Sequence, residues 1–128
     1  EKRFARLDYL TGIANRRHFF ELAGVELSRS QRYKHHFTIV YIDLDDFKLV
    51  NDQFGHMMGD KLLLAIVHRA KKQLRSTDLI ARLGGDEFIL LLPEMSQDTA
   101  QTVVSKIQAS LLDEMRSNDW PVTFLLAF

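Results

Sequence analysis

The chain has 128 residues, the size of one ordinary domain, and 46% of them are apolar, which is enough to form a core. Lys plus Arg and Asp plus Glu balance at 17 each, so no overall charge favours binding to nucleic acid or to an anionic membrane. The absence of cysteine excludes disulfides, thiolate catalysis and cysteine-based zinc sites, and no apolar run approaches the roughly 20 residues of a membrane span.

Hydrophobic spacing divides the chain into alternating helices and strands. In chain order, the predicted elements are the end of an incoming helix at 1–7, a loop at 8–15, a helix at 16–33, a strand at 37–44, a polar segment at 45–60 that begins with a short helix, a helix at 58–75, strands at 79–83 and 87–92, a helix at 97–116 and a strand at 122–127. Asn15 is the predicted N-cap of the first complete helix.

From the strand at 37–44 onward, the order of elements is β-α-β-β-α-β. This order predicts an α/β fold of the α+β type, the ferredoxin-like split βαβ, with an antiparallel sheet and helices packed on one face. The first strand of this pattern lies in the middle of the sheet. Its end can then approach the hairpin at 84–87, which would bring Asp43 and Asp45 near Asp86 and Glu87.

Two carboxylates at the end of a central strand suit a hard cation. Asp43 and Asp45 alternate with Leu44 and therefore point to the same side of the sheet. With Asp86 from the hairpin, they offer the oxygen ligands that Mg²⁺ prefers next to phosphates. Taken separately, the aspartates also fit a solvated strand end, and the Gly84-Gly85 segment fits a tight hairpin turn. Their convergence favours the metal site.

The polar segment that follows carries a second set of candidates. Lys48, one turn beyond the strand, is within reach of a phosphate. Asn51, Asp52, His56 and Asp60 are consistent either with Asx turns and an acidic helix N-terminus, or with a pocket that hydrogen-bonds a purine edge.

Arg75 and Asp78 form an RxxD string after the long helix. An arginine that complements the helix dipole, followed by a turn aspartate, explains most such strings. This one is notable for its position, because five residues separate Asp78 from Gly84.

Three segments, DYLTGIANRR (8–17), DLDDFKLVNDQFGHMMGD (43–60) and RLGGDEF (82–88), resemble in order and spacing the GGDEF domain of diguanylate cyclases. The resemblance covers almost the whole chain. It implies a fold related to nucleotide cyclases and the polymerase palm. It also implies an enzyme that condenses two GTP molecules into cyclic di-GMP and releases pyrophosphate.

The resemblance assigns roles at the end of the central strand. Asp43, Asp86 and the backbone carbonyl of Leu44 would be ligands of Mg²⁺ (or Mn²⁺), and Asp86 would also help to deprotonate the attacking 3′-OH. Lys48 would stabilise charge on the transferring phosphate, and Glu87 would support the metal site.

The resemblance also implies a site for the substrate GTP and a separate site for the product. Gly84 and Gly85 would accommodate the triphosphate. Asn51 and Asp60 would read the guanine, with His56 close to the nucleotide. Arg75 and Asp78 would form an inhibitory site for cyclic di-GMP, in which the guanidinium gives a bidentate hydrogen bond and a stacking plane.

Partners and location follow from the same resemblance. The expected arrangement is a homodimer, each domain holding one GTP, driven by an N-terminal sensor or dimerisation domain, with no nucleic acid partner. The expected location is the cytoplasm, as a free protein or as part of a membrane-anchored parent.

Residues 8–128 would be a GGDEF domain that lacks the family's usual C-terminal helix and strand. The missing segment carries a Lys and an Arg for the phosphates, and VTFLLAF departs from the family's VTVSIGVA-like strand. These departures leave two alternatives: a regulatory module that binds cyclic di-GMP or GTP without turnover, and an interaction module with a relic site.

Overall fold

The computed structural model describes residues 5–128 of the chain. Its elements, in chain order, are β1 (Ala14–Asn15), α1 (Arg16–Tyr33), β2 (Phe37–Asp45), α2 (Phe47–Phe54), α3 (His56–Lys72), β3 (Leu79–Gly84), β4 (Glu87–Pro93), α4 (Gln97–Ser117) and β5 (Thr123–Ala127). Every helix and strand predicted after residue 15 is present, and only the ends of the elements differ.

Local side-chain and backbone chemistry sets the helix ends. The Asn15 side chain accepts a hydrogen bond from the backbone N–H of His18, which confirms the predicted cap of α1. Gly55, with a φ of 88°, separates α2 from α3, so α3 begins at His56, two residues before the predicted start. No helix within residues 5–128 is both long enough and apolar enough to cross a membrane.

The five strands form one sheet in the order β1-β3-β4-β2-β5. β2 is antiparallel to both β4 and β5, β3 is antiparallel to β4, and the two-residue β1 adds a parallel edge to β3. Without β1, the order is that of the predicted ferredoxin-like pattern, with β2 in the interior of the sheet. The predicted fold class is therefore confirmed.

Helices cover both faces of this sheet. Val40, Ile42 and Leu44 of β2 are buried in the main core together with apolar side chains of α3 and α4. On the opposite face, Phe19 of α1 is buried in a smaller cluster against β3 and β4. The prediction of helices on one face holds for α3 and α4, whereas α1 lies on the face to which Asp43 belongs.

The prediction of an incoming helix at 1–7 is wrong for residues 5–7. Residues 1–4 lie outside the described residues, and residues 5–7 are not helical. Leu7 pairs with Ala14 in an isolated antiparallel bridge, and the backbone N–H of Asn15 donates to the carbonyl of Arg6 at 2.9 Å. The backbone of this segment pairs with the start of β1 and is therefore unavailable for a helical turn.

Candidate functional site

The end of β2 meets the turn between β3 and β4, as the sequence predicts. Asp43 is the cross-strand partner of Glu87, and the backbone N–H of Leu44 donates to the carbonyl of Asp86 at 3.2 Å. Alternation along β2 buries Leu44 and leaves Asp43 half-buried on the other face. Asp43, Asp86 and Glu87 are therefore gathered at one end of the sheet.

These carboxylates repel one another. Burial raises the pKa of Asp43, and the negative charges of Asp86, Glu87 and Asp45 raise it further. The fold therefore holds several negative groups close together at this end of the sheet. A bound cation would relieve the repulsion among them.

The donor set fits a hard divalent cation without forming a complete cage. Within residues 5–128, no three His, Cys, Asp or Glu side chains lie close enough together to hold a metal ion on their own. Asp43 and Asp86 offer two carboxylates, and the Leu44 carbonyl offers a further oxygen. Mg²⁺ is commonly bound through one or two carboxylates, with substrate phosphates and water completing its shell. Two carboxylates are therefore sufficient.

Tyr41 also contacts the site, and the sequence did not predict this contact. Its hydroxyl donates a 2.5 Å hydrogen bond to Oε2 of Glu87. This hydrogen bond, together with burial and the charges of Glu87, Asp43 and Asp86, raises the pKa of Tyr41 to about 12. The available signal was the strand alternation, because Tyr41 stands two residues before Asp43 and points to the same face.

A network around Arg82 fixes the glycine turn. The Arg82 guanidinium donates to the carbonyls of Gly84, at 3.1 Å, and Gly85, at 2.9 Å, and forms an ion pair with Asp8 at 3.3 Å. Asp8 also accepts hydrogen bonds from the Thr11 backbone, at 2.9 Å, and from its hydroxyl, at 2.7 Å. Burial acts to raise the pKa of Asp8, but the Thr11 hydrogen bonds and the Arg82 charge outweigh it, and the pKa is lowered.

An open cleft of about 630 Å³ lies beside this turn. It is lined by the loop before α1, the first turns of α1 and the hairpin. The side chains and backbone that line the cleft include those of Asp8, Tyr9, Arg16, Phe20, Arg82, Gly84 and Gly85. Both predicted glycines therefore face a space that a ligand could enter.

Asn51, predicted to contact a nucleotide base, is held against α3. A Cβ atom at Gly59 would lie 1.9 Å from Oδ1 of Asn51, so glycine allows the amide to pack there. His56 and Asp60 are exposed on the first two turns of α3. Lys48 is exposed in the first turn of α2, and no ion pair involves it among the described residues.

Arg75 and Asp78 form a tight pair of their own. The Asp78 side chain is 1% exposed and accepts from the Arg75 backbone N–H at 2.7 Å and from its guanidinium at 2.7 Å. The guanidinium also donates to the carbonyl of Pro93 at 2.7 Å. The hydrogen bonding of the guanidinium to Asp78 is the main cause of the raised pKa of Arg75.

The Arg75 side chain remains 47% exposed and borders a cleft of about 460 Å³, shared with Glu26 and Arg29 of α1. Within the described part of the chain, no side-chain hydrogen bond connects this pair, the α2–α3 residues and the Asp43–Asp86 junction to one another. The predicted residues thus form three separate groups.

One known protein family matches almost the whole chain. A family model described as "Diguanylate cyclase, GGDEF domain" matches residues 5–121. The curated diguanylate cyclase DgcP of Pseudomonas aeruginosa is 37% identical over 111 residues, which cover 87% of this chain and 16% of DgcP. The chain thus spans a small part of the length of that relative.

Solved structures agree in fold. The GGDEF domain of TpbB (YfiN) from Pseudomonas aeruginosa has a TM-score of 0.81 at 35% identity, covering 94% of this chain and 73% of that one. A microbial GGDEF domain whose interaction with cyclic di-GMP has been described has a TM-score of 0.81 at 30% identity, covering 96% and 76%.

Proposed function

This chain belongs to the GGDEF domain family of diguanylate cyclases, and we propose that it holds one GTP and, opposite a second copy, condenses two GTP molecules into cyclic di-GMP. The observation that carries this proposal is the junction of Asp43 with Asp86. It gathers negative charge at the end of an interior strand, beside a glycine turn that borders an open cleft.

In the proposed reaction, the 3′-oxygen of each GTP forms a bond to the α-phosphorus of the other. The bond between the α-phosphorus and the oxygen leading to the β-phosphate breaks, and pyrophosphate leaves. Two such steps close the ring, so each domain must present its nucleotide to a partner. This requirement is the reason for proposing a homodimer as the active form.

Asp43, Asp86 and the carbonyl of Leu44 would hold Mg²⁺ (or Mn²⁺). When bound, the ion supplies positive charge to the phosphates and orients them. Asp86 stands at the turn, where its carboxylate can also help to remove the proton of the attacking hydroxyl. Since a metal-bound carboxylate is a weak base, we do not separate these two roles.

The remaining residues are proposed to bind and orient the nucleotide. Asn51 and Asp60 would hydrogen-bond the guanine edge, with His56 nearby. The packing of Asn51 over Gly59 supports this role, because it limits the orientations of the amide. Lys48, exposed one turn after β2, would approach the phosphates, and Gly84 and Gly85 would allow the triphosphate to lie along the turn.

The test is product formation. The chain is joined at its N-terminus to a parallel dimeric coiled coil and incubated with GTP and Mg²⁺, and the products are separated by chromatography. We expect cyclic di-GMP from the dimeric protein, and none after a chelator removes the divalent ion. If GTP stays unchanged in the dimeric protein, the catalytic proposal is wrong.

A second role, the binding of cyclic di-GMP at Arg75 and Asp78, is favoured by the preformed pair. Asp78 and the Pro93 carbonyl fix one side of the guanidinium, and the Arg75 side chain, 47% exposed, remains accessible to a ligand. This site would give feedback inhibition in a cyclase. In a chain without turnover, it would make the domain a regulatory module.

Calorimetry with cyclic di-GMP tests this second role. Arg75→Ala should weaken binding at least about tenfold, since a hydrogen bond to a charged group contributes roughly 1.5–3 kcal/mol. Arg116→Ala, which removes an exposed arginine from the last turn of α4, is the control and should bind like the wild type. Equal affinity of the Arg75 variant and the wild type for cyclic di-GMP would show that Arg75 does not form an inhibitory site.

A further inference from the structure

A buried carboxylate lies beside the Arg75–Asp78 pair. Glu26 of α1 is buried and lines the same cleft of about 460 Å³ that Arg75 borders. Its Oε1 accepts a hydrogen bond from Nη1 of Arg29 at 3.0 Å, whereas its Oε2 has no hydrogen-bond partner within residues 5–128. Nδ1 of His35 lies 3.8 Å from Oε2, and this ring carries a charge only when it is protonated. A carboxylate buried this deeply is normally paired at both oxygens, so Glu26 calls for an explanation.

Arg29 compensates the charge of Glu26 only in part. The Arg29 side chain is 49% exposed, so water screens its positive charge, whereas the Glu26 side chain is 6% exposed. A charge that is incompletely compensated in a low-dielectric environment acts over a longer distance than the same charge in water. The negative charge of Glu26 therefore acts on the adjacent cleft.

The charged side chains that line this cleft have a net negative charge. Arg29 and Arg75 stand against three carboxylates, those of Glu26, Asp78 and Glu94. Glu94 adds its negative charge to that of Asp78 at the Arg75 guanidinium. Cyclic di-GMP has two phosphate groups, and each carries one negative charge. The cleft therefore presents Arg75 to a guanine, while its net charge opposes the phosphates.

We propose that the charge of Glu26 sets the affinity of this cleft for cyclic di-GMP. The proposal rests on the second role given above, the binding of cyclic di-GMP at Arg75 and Asp78. Glu26 holds the Arg29 guanidinium and adds a negative charge, and both effects weaken the binding of a dianion. A weaker site fills only after more product has accumulated, so Glu26 raises the product concentration at which inhibition begins.

The test is calorimetry with cyclic di-GMP on Glu26→Gln, which keeps the length of the side chain and an oxygen that accepts from Arg29. Two unit charges about 10 Å apart, at an effective dielectric constant of about 20, change an affinity by somewhat more than tenfold before salt screens them. We expect the variant to bind at least about threefold more tightly than the wild type once this screening is included. A smaller tightening, or weaker binding, would overturn the proposal.

Salt dependence tests the electrostatic cause. The ratio of affinities between Glu26→Gln and the wild type should fall as NaCl is raised from about 0.05 M to about 0.5 M, because the Debye length becomes shorter than the distance across the cleft. A lost packing or hydrogen-bond contact would not give this dependence. A ratio that stays constant over this range would therefore overturn the proposal.

Glu21→Gln is the matched control. It removes the same charge from an exposed position of the same helix that does not line the cleft, and it should bind within about twofold of the wild type. Glu26→Met, which has a side chain of similar length without charge, is the second variant and should also bind more tightly. Thermal unfolding verifies that each variant is folded. Equal tightening by Glu21→Gln, or weaker binding by folded Glu26→Met, would contradict the role of Glu26.

Failure of the site itself gives a different result. If Arg75→Ala binds cyclic di-GMP as the wild type does, or if neither the wild type nor Glu26→Gln binds it, the site at Arg75 and Asp78 is wrong and the role of Glu26 is wrong with it. If Arg75→Ala weakens binding and Glu26→Gln does not strengthen it, the site stands and only the role of Glu26 is overturned.

Discussion

Replacement of Arg82 by methionine should destabilise the fold and loosen the turn at Gly84 and Gly85. The guanidinium holds both glycine carbonyls and pairs with Asp8, and each side chain of the ion pair is only 12% exposed. Methionine keeps much of the apolar stem but removes every donor. Asp8 would then keep its two hydrogen bonds from Thr11 and lose its counter-charge.

The magnitude follows from those contacts. Breaking a fully buried ion pair costs about 3–5 kcal/mol, and a hydrogen bond to a charged group contributes about 1.5–3 kcal/mol. Because the Asp8–Arg82 pair keeps some exposure, and Asp8 keeps other donors, we expect a loss of about 2–3 kcal/mol in the free energy of unfolding. Urea denaturation measures this value by linear extrapolation.

The pH dependence of this loss tests its cause. Asp8 has a lowered pKa in the folded state, so its ionised form stabilises the protein above its unfolded pKa, and this contribution is lost as the pH falls through the folded pKa. The difference in the free energy of unfolding between Arg82→Met and the wild type should therefore become smaller at acidic pH. Arg116→Met, at an exposed helix end, is the control. A loss below about 0.5 kcal/mol at neutral pH, the range of ordinary surface changes, would refute the reasoning.

Two further predictions concern the junction and the α2–α3 contact. Because like charges and burial raise the folded pKa of Asp43, its contribution to stability is present below the unfolded pKa and lost as the pH rises through the folded pKa. Asp43→Asn should therefore raise the melting temperature of the metal-free protein at pH 7 and lose this advantage near pH 3; a lower melting temperature at pH 7 would contradict the electrostatic picture. Gly59→Ala should displace the Asn51 amide and weaken binding of a non-hydrolysable GTP analogue about tenfold, roughly the value of one hydrogen bond. Calorimetry measures this change, with Gly24→Ala, where a Cβ meets nothing within 4 Å, as the control; equal affinities would exclude Asn51 from the pocket.

The sequence predicted the course of β2 and the location of the acidic junction because both depend on patterns that a single sequence displays. Alternation along a strand fixes which side chains share a face, and the order of elements fixes which strand lies in the interior. Asp43 and Asp86 were therefore expected to meet, and the cross-strand pairing of Asp43 with Glu87 confirms the meeting of these two segments. The chemical roles of the two aspartates stay predictions.

The sequence did not predict the contacts that depend on side-chain placement across the fold. Asp8 and Arg82 are 74 residues apart, and each is explained locally as a loop or strand residue. Tyr41 looked like an ordinary strand aromatic, since nothing in a single sequence shows that its hydroxyl reaches Glu87. The helix expected to end at residue 7 was wrong for residues 5–7 for the same reason, because a long-range backbone pairing replaces the helical one.

The most direct test of the central claim is the rate of cyclic di-GMP formation by the coiled-coil dimer, compared between the wild type and Asp86→Ala. Asp98→Ala, in the first turn of α4, provides a matched loss of one carboxylate that is not part of the junction. We predict product from the wild type and from the Asp98 variant, and a rate at least about 10²-fold lower for Asp86→Ala, the typical cost of removing one preorganised electrostatic group. Cyclic di-GMP formation by Asp86→Ala at the wild-type rate would contradict the account.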